Sequence, residues 1–285
     1  MELNNKECKD FVSQYKDEEL ELVVLFNDET CGSGRVNGDL FWTASAEFLA
    51  YQNTAAGEIE NGNGSVVWVI SDEEQELYGS SYPYSFKKES MYRLRVRELA
   101  DRTVQDGRLP SLYNRFLIVE KLEEVFCNDA LTNIFNEYRK PVVIEDNILG
   151  FFSLNKKHSC FKGRVEWLGE NISVHMNVDN HNESSWHSAM DSLRFLYDNM
   201  AEKDHEFRCF AAENLTELAN DWLEDSTSPE ITTEDFIRRI CLLEISVSAD
   251  GSFSAYYNDD DMFYGHVITV SGDTLNGVED ATISG

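Results

Sequence analysis

Basic residues are scarce in this sequence: 24 lysines and arginines stand against 53 aspartates and glutamates, a formal net charge of −29. That imbalance argues against direct contact with nucleic acid or an anionic membrane, whose phosphates would be repelled. A basic protein surface is the partner it favours, although an acidic surface also serves solubility alone. Cysteines are few and scattered, at Cys8, Cys31, Cys127, Cys160, Cys209 and Cys241, with no Cys-x-x-Cys pair. In that arrangement they read as reduced, mostly buried thiols. No apolar run approaches the ~20 residues of a membrane span. The opening stretch Met1-Glu2-Leu3-Asn4-Asn5-Lys6 is polar and unlike a signal peptide. Together these absences predict a cytoplasmic protein.

What is present suffices to build cores, since 42% of the 285 residues are hydrophobic and 12% aromatic. The length suits two domains. Arg139-Lys140-Pro141 marks the boundary, because the residue before a proline is pushed out of the α region. Residues 1–140 carry 15 basic and 26 acidic residues, net −11, and residues 141–285 carry 9 and 27, net −18.

The first module reads as a small, mostly antiparallel β structure, barrel-like and closed by one helix. Residues 5–18 suit a short helix, and Leu20 to Phe26 suit a strand. Gly32, Gly34, Asn37 and Gly38 mark a loop without phosphate-binding spacing. Asp39 to Tyr51 and Ser65 to Ser71 are predicted strands, with Asn61-Gly62-Asn63-Gly64 as the turn between them. In Met91 to Leu99, Tyr92, Leu94 and Val96 alternate with Arg93, Arg95 and Arg97. Those arginines either make an anion-binding face or pair with acids on neighbouring strands. Phe116 to Glu120 is a further strand. Asp129 then caps a helix with Leu131, Ile134, Phe135 and Tyr138 on one stripe.

The second module reads as an antiparallel sheet covered on one face by two to three helices. Ile148 to Leu154, Phe161 to Trp167 and Ile172 to Val178 are predicted strands, the last two joined at Gly169-Glu170-Asn171. Trp186 to Met200 and Phe207 to Trp222 show apolar steps of three and four, with Asp204 as a candidate cap for the second helix. Thr232 or Thr233 opens a third, short helix through Arg239. The stretch Leu242 to Gly272 completes the module as a meander of three strands, turning at Asp250-Gly251 and at Asn258-Asp259-Asp260-Asp261.

Ile148-Leu149-Gly150, Val165-Glu166-Trp167-Leu168-Gly169, Leu218-Ala219-Asn220-Asp221-Trp222, Asp250-Gly251-Ser252-Phe253, Phe263-Tyr264-Gly265-His266 and Gly277-Val278-Glu279-Asp280-Ala281 follow one another in order. Together they resemble a bacterial domain family of unknown function, over roughly residues 145 to 285, preceded by an uncharacterised β-rich module. The departures are Asp260, where the family implies a glycine, and Tyr264, where it implies a larger aromatic. The resemblance implies an α+β fold, a bacterial origin and a cytosolic location, and no chemistry.

Two constellations stand out. Asp259, Asp261 and His266 sit in and after the last turn, beside Tyr257, where they could serve a hydrolase or a metal-dependent enzyme. A calcium loop counted from Asp259 would need glycine and glutamate where Tyr264 and Val270 stand. No further histidine or cysteine pair completes a zinc site, so no metal and no cofactor is implied. Strand parity would place Tyr264, His266, Ile268 and Val270 on one face, making His266 a hydrogen-bonded core histidine. The second constellation is an acidic rib. At ~100° per residue, Glu206, Glu213, Glu217, Asp221 and Glu224 form one stripe beside the apolar face, near Phe210, along roughly 27 Å of helix. The rib points to a basic protein partner; the same stripe also suits a solvated helix face. The sequence therefore predicts a non-enzymatic interaction module, of immunity-like or inhibitor type, with the Asp259–His266 hairpin as the enzymatic alternative. Oligomeric state is left open.

Overall fold

A computed structural model describes residues 6–28, 31–35, 41–78, 84–105, 110–180, 182–223 and 229–285. Residues 1–5, Asn37, Gly38, Asp39 and Glu224, all named above, lie outside them. The chain divides into two compact units, residues 1–140 and 141–285.

The first unit contains α1 (Lys6–Val12), β1 (Tyr15–Phe26), β2 (Cys31–Gly34), β3 (Trp42–Asn53), β4 (Ile59–Ile70), α2 (Asp72–Tyr78), β5 (Ser90–Leu99), β6 (Arg115–Val125) and α3 (Asp129–Arg139). Its sheet runs β1-β5-β6-β4-β3, and β3 pairs back onto β1, closing a five-stranded barrel with β2 added along β3. Only β4 and β6 run parallel. Numbered without the short β2, the closed order is 1-2-3-5-4-1. Closure leaves the five strands few unpaired edges. Leu22, Val24, Phe48, Val66, Trp68, Tyr92, Leu94, Val96 and Phe116 fill the interior.

The outer surface is also apolar where helices lie on it. Val23, Leu25, Leu49 and Ala50 meet Leu131, Ile134, Phe135 and Tyr138 of α3, while Tyr15, Val67 and Leu117 meet Phe11 and Val12 of α1. A strand buried on both faces reads as a continuous apolar run, and for that reason the run Leu22-Val23-Val24-Leu25-Phe26 of β1 is uninterrupted: all five residues are buried.

Several expectations are corrected here. The mostly antiparallel, barrel-like module is a closed barrel with one parallel pair, but three helices among the described residues, not one, accompany it. The helix expected over residues 5–18 stops at Val12, and Gly32 and Gly34 lie in β2. Asn61 to Gly64 is no turn but part of β4. Gly64 is required by close approach, since a Cβ there would meet Asn114 O at 2.2 Å and the Phe48 ring at 2.4 Å. Asn128, not Asp129, caps α3, its Oδ1 accepting from Leu131 N at 3.1 Å. The reading had no α2, although Ser71-Asp72-Glu73-Glu74 forms a capping box: Ser71 N donates to Glu74 Oε2 at 2.8 Å, and Glu74 N to Ser71 Oγ at 3.2 Å. Arg93, Arg95 and Arg97 each reach glutamates of β1 or β6.

The second unit contains β7 (Val143–Asp146), β8 (Gly150–Asn155), β9 (Cys160–Trp167), β10 (Glu170–Asn177), α4 (Glu183–Asp198), α5 (Met200–Asp221), α6 (Thr233–Arg239), β11 (Cys241–Ser248), β12 (Ser252–Asn258), β13 (Val267–Asp273) and β14 (Gly277–Ser284). Its eight strands follow chain order from β7 to β14 across the sheet. Every neighbouring pair is antiparallel except β10–β11. That parallel pair corrects the purely antiparallel expectation. It arises because all three helices intervene between the two strands, and a crossover of that length permits parallel return.

All three helices cover one face. Ile172, Val174, Ile245, Val247, Ala255, Tyr257 and Val270 of the strands share a core with Ala189, Leu193 and Leu196 of α4, with Phe207, Ala211, Leu215 and Ala219 of α5, and with Phe236 of α6. Asn182 caps α4 through Ser184 N, and Thr232 caps α6 through Asp235 N. Asp204 is not a cap: α5 already begins at Met200, and Asp204 lies inside the helix, buried. β7 and β14, the two strands at the sheet's ends, were not anticipated.

Candidate functional site

The loop between β12 and β13 holds the aspartates and histidine that the sequence singles out. Asp259 is 1% exposed. Its Oδ2 accepts from Phe263 N at 2.7 Å and Gly265 N at 3.1 Å, and its Oδ1 from Asp261 N at 3.3 Å. A carboxylate so occupied ties the turn together from within. Asp260 faces Arg239 of α6, whose Nε lies 2.7 Å from its carboxylate. Asp261 is exposed.

The parity expectation for Tyr264 and His266 fails, because both precede β13 and the backbone at Asp260, Asp261, Tyr264 and Gly265 has positive φ. Tyr264 instead stacks on Trp222 and donates its hydroxyl to Trp222 O at 2.7 Å. His266 lies edge-on to the same indole, its Nδ1 2.5 Å from Phe263 O. Asp259 is thus taken up by backbone amides and His266 by Phe263 O and the Trp222 ring, and no group of three or more potential metal ligands occurs among the described residues. The local signal is a turn-forming one: aspartates bond nearby backbone amides and tolerate left-handed conformations.

The acidic stripe of α5 has a different character. The buried residues Phe207, Ala211, Leu215 and Ala219 define its core side. At ~100° per residue the acids lie on the opposite side rather than beside the apolar face. Glu213, Glu217 and Asp221 are exposed, and none has an ion-pair partner among the described residues. Glu206 differs: Lys203 neutralises it at 2.8 Å. Phe210 is partly exposed among the acids. Glu224 lies outside the described residues.

Residues 146–283 match the model of a family described as an uncharacterized protein conserved in bacteria (DUF2262), and residues 7–138 match that of a domain of unknown function (DUF7021). Each match covers a little under half of the chain, one in each compact unit. No curated protein matches it. Among the described residues no helix is long and apolar enough to cross a membrane.

Each unit holds a polar network that the sequence reading missed. In the second unit, Asp204 accepts from Arg208 Nε at 2.6 Å, and Tyr257 Oη and Trp167 Nε1 each lie 3.4 Å from its other oxygen. Arg208 also donates to the carbonyls of Ile237 and Ile240 at the end of α6. Burial, then the Asp204 charge, pushes the Tyr257 hydroxyl well above its ordinary pKa, so it remains a neutral donor. This network ties helix, sheet and α6 together inside the core. The (i, i+4) spacing of Asp204 and Arg208 was visible in the sequence, but not that both face inward.

In the first unit, Arg102 bridges Glu98 at 2.6 Å, Asn114 at 2.8 Å and Glu60 at 3.2 Å, while Tyr51 donates to Glu60 at 2.5 Å and Lys16 to Glu98 at 2.5 Å. Burial raises the Tyr51 hydroxyl, and the neighbouring glutamate raises it further. Beside this network a cavity of about 320 Å³ opens, floored by Leu22 and Phe116. Strands β1, β3, β4 and β5 each contribute one residue, so the network clasps one region of the barrel wall.

Proposed function

We propose that this chain is a non-enzymatic protein-interaction module that offers the outer stripe of α5 to a basic protein partner, as inhibitor-type or immunity-like factors do. The observation that supports it is the un-neutralised set Glu213, Glu217 and Asp221, exposed on the side of α5 away from the core, with Phe210 about one turn before them. Uncompensated charge on a rigid helix accelerates encounter with an oppositely charged surface and disfavours like-charged competitors. The Asp259–His266 loop gives no comparable support to catalysis, since the Asp259 carboxylate is taken up by three backbone amides.

The test compares the native chain with the triple variant Glu213→Gln, Glu217→Gln and Asp221→Asn. Partners captured from the native cell should be released as salt is raised, and the triple variant should capture them poorly at low salt. A partner held equally by both proteins at all salt concentrations refutes the reading.

A further inference from the structure

One end of the second unit's sheet combines three features. Among the described residues β7 pairs only with β8, so its other side is an open strand edge. Such edges invite pairing with another chain unless charge, proline or a bulge blunts them. Pro141 stands just before β7, and β7 itself, Val143-Ile144-Glu145-Asp146, carries no proline and no bulge; its two charges are both acidic, so they oppose an acidic incoming strand and favour a basic one. Around the edge, apolar residues are left in water: Val143 is 52%, Phe151 65% and Ile148 73% exposed. Between the inner side of β7 and α4 lies a cavity of about 330 Å³.

The cavity is built for a long cationic side chain. Ile144, Trp186 and Met190 give it an apolar wall, and Glu183, His187 and Asp191 also line it, while the Glu145 side chain, opposite exposed Phe151 in the register, lies on the other face of the sheet. Its cation, Arg194, is held by Asp146 and lies 3.8 Å from Asp191. Glu183 has no ion-pair partner among the described residues. A lysine or arginine buries its methylene stem along apolar surface while its head seeks carboxylates, which fits this lining.

We infer that β7 accepts an extended segment of a partner protein as an added strand, with a lysine or arginine of that segment in the cavity between β7 and α4. Alternate residues of an added strand face opposite sides of the sheet. Basic positions then face the cavity, and apolar positions meet Val143 and Phe151. Main-chain pairing supplies affinity and the cavity supplies selectivity. The inference rests on the reading of a basic partner but uses a surface separate from the acidic stripe of α5.

The test titrates the full chain with the blocked peptide Val-Lys-Val-Lys-Val. Controls are a scrambled peptide, Lys-Lys-Val-Val-Val, and an alternating peptide N-methylated to prevent strand pairing. The alternating peptide should bind and slow amide exchange across residues 143–146; neither control should. Glu183→Gln with Asp191→Asn should weaken binding about tenfold, a loss of about 1.4 kcal/mol. The triple variant of α5 should leave it unchanged. Equal binding by all three peptides, or no protection at β7, overturns the inference. Binding that is lost only in the α5 variant also overturns it, yet leaves the basic-partner reading standing. Capture of a partner by the native chain that the α5 variant retains removes that reading instead, whatever the peptides do at β7.

Discussion

Arg208 lies one helical turn beyond Asp204 in α5 and closes on its carboxylate at 2.6 Å, within the core of the second unit. Its guanidinium also sits over the Tyr257 ring, 5.3 Å from the centroid. Removing one member of a buried ion pair strands the other charge. Asp204→Ala should therefore destabilise the domain by about 3–5 kcal/mol, measured by urea unfolding. Tyr257→Phe, which removes one hydroxyl, should cost about 1 kcal/mol. Near-neutral behaviour of Asp204→Ala would show that the network contributes little.

The loop before β13 depends on one side chain in the same way. Asp259→Ala leaves three backbone amides without their acceptor and should cost about 1–3 kcal/mol. Asp261→Ala, at an exposed position, should fall within about 0.5 kcal/mol of the native protein. Thermal melts of the two variants check the contrast, and equal melting temperatures contradict the structural role assigned to Asp259.

Glycine tolerance separates close approach from simple exposure. A Cβ at Gly163 would meet the Phe152 ring at 2.4 Å and Phe151 O at 2.8 Å, while one at Gly62 would meet nothing within 4 Å. Gly163→Ala and Gly64→Ala should each destabilise by about 1–3 kcal/mol. Gly62→Ala should be neutral or slightly favourable. Chemical denaturation of the three variants gives the comparison.

Stability should fall in acid partly through Asp146. The Arg194 guanidinium, followed by the Leu149 and Ile148 amides, holds its carboxyl down at about 2. A folded-state pKa below the unfolded value of ~3.9 stabilises the fold above that value, and the contribution is lost as pH falls from about 4 through 2. Asp146→Asn should remove it, on the order of 1 kcal/mol, so that its unfolding free energy varies less with pH over this window. A variant whose acid dependence equals that of the native chain would contradict the assignment.

Much of the architecture was legible because its signals are local. The alternation at Tyr92, Leu94 and Val96 predicts an inward strand face, and those residues do line the barrel. The three-and-four spacing of α4 and α5 predicts helices with one buried side, and Asp250-Gly251 turns between β11 and β12. Reading failed where a residue's neighbour lies far along the chain. Asn61 to Gly64 looks like a turn until Asn114 and Phe48 press against Gly64, and Asp204 looks like a cap until Trp167, Tyr257 and Arg208 surround it. The α2 capping box is a local signal of the same kind, present in the sequence and missing from the expectations.

By itself, then, the sequence determined the charge balance, the strand and helix periods and most turns, all of which depend on residues within a few positions of one another. Only the tertiary structure decided the closure of β3 onto β1, the parallel pairs β4–β6 and β10–β11, and the open edge at β7. It also decided which aspartates are structural, Asp204 and Asp259 being buried and bonded while Asp221 and Asp261 face solvent. The physical reason is that a carboxylate's role follows from its desolvation and its partners, and both are set by segments that meet only once the chain has folded.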